Sequence, residues 1–245
     1  MASHSSRSVL FGVVAGLFLA AGLVLSAMLV TRAWLKISEA QEITVTGSAR
    51  KNIRSDLAVW IGSFSVEGTN LAEAQGRLKT DLAKLESFLR ANNFTNYTIS
   101  PINIQALKAR ESGDPEAQRT VGYRLTQKAT IESPEVESVM KLDRDSTALV
   151  ANGLVFTPAP IGFIYTKSAE AKVEMLADAT RDARARADQI ALQGGRRIKE
   201  LRSARMGVFQ ITALHSNETS GLGVNDTTSL EKTITAVVNT TFRLE

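Results

Sequence analysis

The chain has no cysteine and only two histidines, His4 and His215, among its 245 residues. Without cysteine there are no disulfide staples, no thiolate catalysis and no zinc sites built on sulfur, while an oxidising or a reducing compartment stays open. Neither histidine has a second His within metal-ligand spacing, and His215, beside a polar loop, reads as an ordinary surface residue. The patterns G-x-S-x-G, G-x-x-x-x-G-K-[ST] and H-E-x-x-H are also missing, so hydrolase and nucleotide-binding readings lack their parts. Asp143, Asp145 and Thr147 copy the first three ligands of a calcium loop. Ala148, however, stands where the sharp turn needs glycine, and Leu154 where the bidentate glutamate belongs. Gly221 and Gly223 precede no helix and cannot place a phosphate at a helix end. The expectation is therefore no catalytic, metal or cofactor-binding residue, and no cofactor.

Charge of one sign is not in large excess either: 29 basic residues stand against 25 acidic ones, and no strong steering field follows. The densest basic stretch holds Arg181, Arg184, Arg186, Arg196, Arg197, Lys199, Arg202 and Arg205 against Asp182, Asp188 and Glu200. It lacks the interleaved aromatics of a nucleic-acid surface, so nucleic acid is not an expected partner. Two readings remain: a contact for anionic lipid headgroups or an acidic patch on a neighbouring subunit, or the solvated side of a helix and its exit. Asn-x-Thr sequons at Asn93, Asn96, Asn217, Asn225 and Asn239 matter only in a eukaryotic secretory pathway.

What the chain does have is a long apolar run. Val9 to Val30 are 22 uncharged residues, enough at about 1.5 Å per helical residue to cover a bilayer core of about 30 Å. Ser26, Ala27 and Met28 continue into Leu29 and Val30 with no small-residue cleavage site, so the run reads as an uncleaved anchor. Gly12, Gly16 and Ala20 fall four apart and would let a second helix approach closely. Arg7 precedes the span while Arg32, Lys36, Arg50 and Lys51 follow it, but long folded domains cross membranes regardless of such charges, so the orientation stays open. The expected organisation is a tail at 1–8, a transmembrane anchor at 9–31, a stem at 32–42 and one folded domain at 43–245.

Within that domain the pattern is α+β. Short strands are expected at Ile43 to Gly47 and at Leu57 to Val66, the latter apolar in both registers and so covered on both faces. Asn70 and Glu73 form a capping-box-like start to a helix whose stripe is Leu71, Leu78, Leu82, Leu85 and Leu89, ending near Asn92. Ile99, Ile102 and Ile104 mark a third strand broken by Pro101, and the polar run Lys108 to Arg119 reads as a long hairpin loop. Alternation from Val121 to Ile131 gives a fourth strand with one wet face. Ser133 and Pro134 cap a second helix that runs to Asn152 and Gly153. Leu154 to Tyr165 carries Pro158 and Pro160 and reads as an edge or bulged strand. Ser168 opens a long helix with a narrow stripe of Val173, Leu176, Thr180, Ala183, Ala187 and Ile190, closed by Gly194 and Gly195. Strands at Met206 to Ala213 and Thr233 to Leu244 end the chain. In the last of these, Ile234, Ala236, Val238, Phe242 and Leu244 face one way, and Thr233, Thr235, Asn239, Thr241 and Arg243 the other. The resulting fold class is α+β, with antiparallel sheet and packed amphipathic helices. A duplicated β-α-β-β unit is a further expectation, at Leu57 to Glu132 and at Leu154 to Leu244.

Taken in order, several of these pieces resemble the SIMPL-domain family, long described as a domain of unknown function and including a periplasmic immunogenic protein. They are Thr-Val-Thr-Gly at Thr44 to Gly47, the Leu71 to Asn92 helix, Thr-Val-Gly-Tyr at Thr120 to Tyr123, the helix ending at Gly153, the Ala- and Arg-rich helix closing at Gly194, and the Thr-rich last strand. The resemblance implies a bacterial envelope protein, often linked to stress responses, with some members forming ring or channel-like homo-oligomers. It supplies no agreed catalytic residues. The expectation is a non-enzymatic, single-pass protein of the bacterial inner membrane with its C-terminal domain extracytoplasmic, self-assembling and meeting envelope partners. The alternatives are a ligand-binding or chaperone-like module, marked by a concave apolar pocket, and an enzyme of unrecognised type, marked by buried carboxylates with displaced pKa values.

Overall fold

The computed structural model describes residues 5–38, 41–111, 114–216 and 220–245. In chain order the elements are α1 (Ser5–Ser38), β1 (Glu42–Arg54), β2 (Leu57–Gly68), α2 (Leu71–Ala91), β3 (Thr98–Ile99), β4 (Asn103–Glu111) and β5 (Asp114–Ser133). They continue with α3 (Val136–Asp145), α4 (Thr147–Ala151), β6 (Val155–Pro158), β7 (Gly162–Ile164), α5 (Ser168–Gln193), β8 (Ile198–Ala213) and β9 (Glu231–Leu244). The fold is α+β with antiparallel pairing. One sheet has the order β1-β9-β8; the other has the order β3-β5-β2-β6, with β4 also beside β5 and β7 beside β2. The chain divides into a smaller unit, Met1–Ser48 with Asp178–Gly207 and Val237–Glu245, and a larger one, Ala49–Ala177 with Val208–Ala236.

The larger unit is built on β2, which pairs with β5 from Ala58↔Ser133 to Gly68↔Tyr123 and on its other side with β6 and β7. Its inward residues Ala58, Trp60, Phe64 and Val66 are buried with Ala74, Leu78, Leu85 and Leu89 of α2 and Val139 and Leu142 of α3. β2 is central, as its hydrophobicity requires; one face is fully buried and the other only partly. Leu57, Val59 and Ile61 are half-buried, Val59 and Ile61 lying beside Glu132 and Thr130 of β5 and Leu57 beside Ile164 of β7. Gly62 sits in the inward row, where a Cβ would stand 2.5 Å from Trp60 Cη2 and 2.6 Å from the Phe156 ring. The bare glycine lets those two rings stack at 5.8 Å.

Helix α2 starts as its sequence requires. The Asn70 side chain accepts from Glu73 N at 2.9 Å, and the Glu73 carboxylate reaches back to Thr69 N at 3.1 Å and Thr69 Oγ at 2.8 Å. Leu71, expected in the apolar stripe, lies exposed in the first turn. The second helix departs from expectation. Ser133 Oγ accepts from Glu135 N at 3.1 Å as a turn, not as the cap, and α3 begins at Val136. The helix then breaks into α3 and α4 at buried Ser146, whose hydroxyl donates to Asp143 O at 2.6 Å and competes with the helical ladder.

The expected loop Lys108 to Arg119 is mostly strand. β4 and β5 pair Lys108↔Thr120, Ala109↔Arg119 and Arg110↔Gln118, with register shifts at Leu107/Lys108 and Arg110/Glu111. The segment has no apolar alternation, so its sequence carries no strand signal. Pro158 and Pro160 behave as expected: β6 and β7 are short pieces along the outer edge of β2, interrupted between Pro158 and Gly162. Because β6 and β7 join β2, the half from Leu154 to Leu244 does not build its own sheet as a duplicated unit would; β1 takes the place beside β9.

The strands β1 and β8 are longer than expected, as most of their extra residues are charged or polar and exposed, although Ile53 of β1 is buried. β9 buries one side as expected. Helix α5 buries Ala171, Met175, Ala179, Ala183, Ala187 and Ala191, one residue in four. That is an i±4 ridge, inclined to the helix axis, and it differs from the expected stripe, since Val173 is 72% and Ile190 54% exposed. In the smaller unit the reason is visible: a Cβ on Gly47 would overlap Ala179 O and Ala183, so helix and strand touch backbone to backbone. Only small side chains fit such a seam.

Candidate functional site

Helix α1 contains an apolar stretch, Val13–Trp34, long enough to cross a membrane and exposed throughout. Gly16 has no atom within 4 Å of where a Cβ would stand, and Ala20 is exposed on the same helix; Gly12 lies within α1 but its surroundings are outside the described residues.

The eight basic residues fall in the smaller unit and divide by location. Arg181, Arg184 and Arg186 lie on α5, Arg196 and Arg197 in the turn after it, and Lys199, Arg202 and Arg205 on β8. Arg181 pairs with Asp178 at 3.0 Å, Arg186 with Asp182 at 2.8 Å and Arg202 with Glu42 at 3.2 Å. The Ser48 N–H, with help from Arg186, holds the Asp182 carboxyl below its ordinary range against the opposing effect of burial. Arg184, Arg196, Arg197, Lys199 and Arg205 make no ion pair with a described residue. The turn is set by Gly195, at φ +69°, where the helix closes with Arg196 N donating to Ala191 O at 2.8 Å. Beyond it, Arg197 and Glu245 exchange backbone hydrogen bonds at 3.4 and 3.0 Å, and Leu244 N donates to Gln41 O at 2.9 Å. The start of β8, the end of β9 and the start of β1 therefore share one end of their sheet, close in sequence to α1.

A second cluster, absent from the sequence reading, lies in the larger unit. β9 begins two residues earlier than expected, and its alternation turns Lys232 inward, 1% exposed. The ammonium donates to Phe163 O at 2.7 Å and to Asp226 O. Oδ1 of Asp226 accepts from Thr228 N and Thr228 Oγ, both at 2.8 Å, and from Ser229 N at 3.3 Å. Burial pushes the Lys232 amine below its ordinary value, while the Asp226 charge opposes this. Burial pushes the Asp226 carboxyl up, but bonds from Ser229 and Thr228 and the Lys232 charge outweigh it and bring the group to about 2. A buried amine of lowered pKa has the raw properties of a nucleophile or base. Here its protons are aimed at two main-chain carbonyls and it lines none of the larger unit's grooves of 480, 690, 380 and 260 Å³. The arrangement clamps the loop before β9 to β7.

The remaining candidates are structural. Asp143 accepts from Trp60 Nε1 at 2.9 Å, and Asp145 and Thr147 are exposed. No group of three metal-ligating side chains forms among the described residues. His215 lies exposed in a turn at φ +65°; His4 is outside the described residues.

The architecture is that of an α+β protein with two antiparallel sheets backed by helices, following an apolar helix able to cross a membrane. The chain belongs to the SIMPL family, described as a protein of unknown function (DUF541), whose family model matches residues 43–242. No curated protein matches the chain.

Proposed function

We propose that this chain is a non-enzymatic, single-pass protein of the bacterial inner membrane. Its domain stands on the extracytoplasmic side, assembles with copies of itself, and meets other envelope proteins. The exposed apolar stretch of α1 supports the anchor, and the family resemblance supports the envelope setting and its link to stress. The observation that carries the assembly reading is the outer edge of β4. Its partner on one side is β5, and among the described strands it has none on the other. Residues 103–106 are exposed on both faces, and Ile104, with neighbouring Ile102, shows its side chain to water, Ile104 at 56%. Free backbone groups beside exposed isoleucines form a template for strand addition.

Light scattering on the full chain in detergent micelles tests this. An oligomer is expected for the native chain and dissociation for Ile102→Lys with Ile104→Lys. A native chain that stays strictly monomeric at high concentration refutes the assembly, and an oligomer indifferent to the double variant refutes the role of β4. A compartment-sensitive reporter fused after Glu245 tests the side of the membrane.

A further inference from the structure

We propose that the turn between α5 and β8, with Arg196, Arg197 and Lys199 at its tip, docks on the anionic headgroups of the membrane that holds α1. The inference rests on the reading of α1 as a membrane anchor. Covalent distance sets the first constraint. Trp34 closes the apolar stretch. Four helical residues to Ser38 and three more to Gln41 place Gln41 at most about 16 Å beyond the hydrocarbon, or about 10 Å beyond the headgroup layer. Pairing within the sheet sets the second. Gln41 bonds Leu244, and Glu245 bonds Arg197, so the turn lies two strand spacings, about 10 Å, from Gln41.

The chemistry of that end matches a lipid surface. Arg196, Arg197, Lys199, Arg202, Arg205 and Arg243 stand against Glu42, Glu200 and Glu245. Of these, Glu42 is taken by Arg202 and Glu200 lies 3.8 Å from Arg243. The tip therefore presents three cations that no described carboxylate neutralises. Exposed Ile190, Leu192 and Leu201 flank them, the mixture of long basic and apolar side chains that settles at a headgroup boundary. Attraction of basic residues to an anionic leaflet fades within a Debye length, about 8 Å at physiological salt. The tether lets the turn reach that range without the cost of bringing two free bodies together.

The absence of native cysteine permits a direct test on the full chain. Leu192→Cys carries a bimane label, in nanodiscs holding one chain each, made of phosphatidylcholine alone or with phosphatidylglycerol; a headgroup spin-labelled lipid acts as quencher. Quenching is expected in anionic discs, weaker in neutral discs and at high salt. Each cation contributes about fivefold, so Arg196→Gln, Arg197→Gln and Lys199→Gln together lower the docked-to-free ratio about 100-fold, with the circular dichroism spectrum unchanged. A second label, Ser26→Cys with a deep quencher, reports the anchor. Ser26 quenched with Leu192 unquenched in anionic discs overturns the docking alone. Ser26 unquenched overturns the anchor on which it rests. Shielding of Leu192 only in discs holding several chains, with no lipid quenching, means that an acidic face of a second copy is the partner, and overturns the proposal.

Discussion

Replacing Lys232 by Met removes one ammonium from the larger unit while keeping the length of the side chain. The loss is worked from its partners: Phe163 O and Asp226 O each lose a charged donor, and such bonds contribute about 1.5–3 kcal/mol net. Thr228 and Ser229 still donate to Oδ1 of Asp226, which limits the further penalty of leaving that carboxylate without its cation. The expected destabilisation is about 3–6 kcal/mol, a large part of the stability of an ordinary domain. The chain has two tryptophans, so in a Trp34→Phe background buried Trp60 alone reports urea unfolding of the larger unit. The pH dependence supplies a second readout with a definite sign. The folded amine sits below its ordinary 10.5, so between the two values the unfolded chain binds more protons and stability rises with pH. The variant lacks that rise, and the gap between native chain and variant widens as pH climbs toward 10.5. A loss under about 1 kcal/mol, or a gap that narrows with pH, refutes the clamp.

Gly47→Ala is expected to cost about 3 kcal/mol, the upper end for overpacking, because the added Cβ meets main chain of α5 on the far side. Gly76→Ala in α2, with nothing within 4 Å, should instead gain about 0.5–1 kcal/mol by reducing the freedom of the unfolded chain; thermal melting of the two variants separates the effects. On the acid side, Asp226 falls to about 2 from 3.8, and Asp56 is also lowered, where burial pushes up and Thr166 N–H and O–H pull down more strongly. Both carboxylates stabilise the fold fully above their ordinary value, and the contribution of Asp226 disappears as pH falls from about 4 through about 2. Asp226→Asn should flatten that limb of an unfolding-versus-pH curve.

Local signals in the sequence were strong where one side of an element faces a core and the other faces water. The Asn70 and Glu73 pair located the start of α2, and alternation placed every buried residue of β9 from Ile234 to Phe242 except Thr240. Pro158 and Pro160 marked an edge. The signal failed where that contrast is absent. Lys108 to Arg119 has no apolar alternation, so it reads as loop although it pairs as strand. Along α5 the largest apolar residues, Val173 and Ile190, suggested the wrong stripe, because the buried ridge is selected for smallness, not hydrophobicity. Lys232 was legible in principle: extending the β9 alternation back one step from Ile234 turns it inward, and an inward lysine demands acceptors. The basic turn was visible as charge, but its place at the same sheet end as the start of β1 depends on Gln41 meeting Leu244 and Glu245 meeting Arg197. Such long-range pairing leaves no local pattern.

The same two sheets expose several edges, and their chemistry separates them. β6 and β7 are four and three residues long and carry Pro158 with Pro160 beside it, so little ladder is on offer. The outer strand β8 bears Lys199, Glu200, Arg202 and Arg205 along its exposed part, and β1 bears Arg50 and Lys51; charges of this kind discourage strand addition. In β4 the register shifts and Lys108 protect the distal part, but Asn103 to Leu107 is a regular, uncharged run. It is also short. A handful of backbone bonds at about 1 kcal/mol each and two isoleucines worth at most about 1.5–3 kcal/mol each fall within the estimated 4–15 kcal/mol cost of bringing two free molecules together and leave no secure surplus. An anchor that confines copies to one surface converts that encounter into one at high effective concentration. In the proposed assembly a weak edge and a membrane helix are therefore complementary parts, and neither suffices alone.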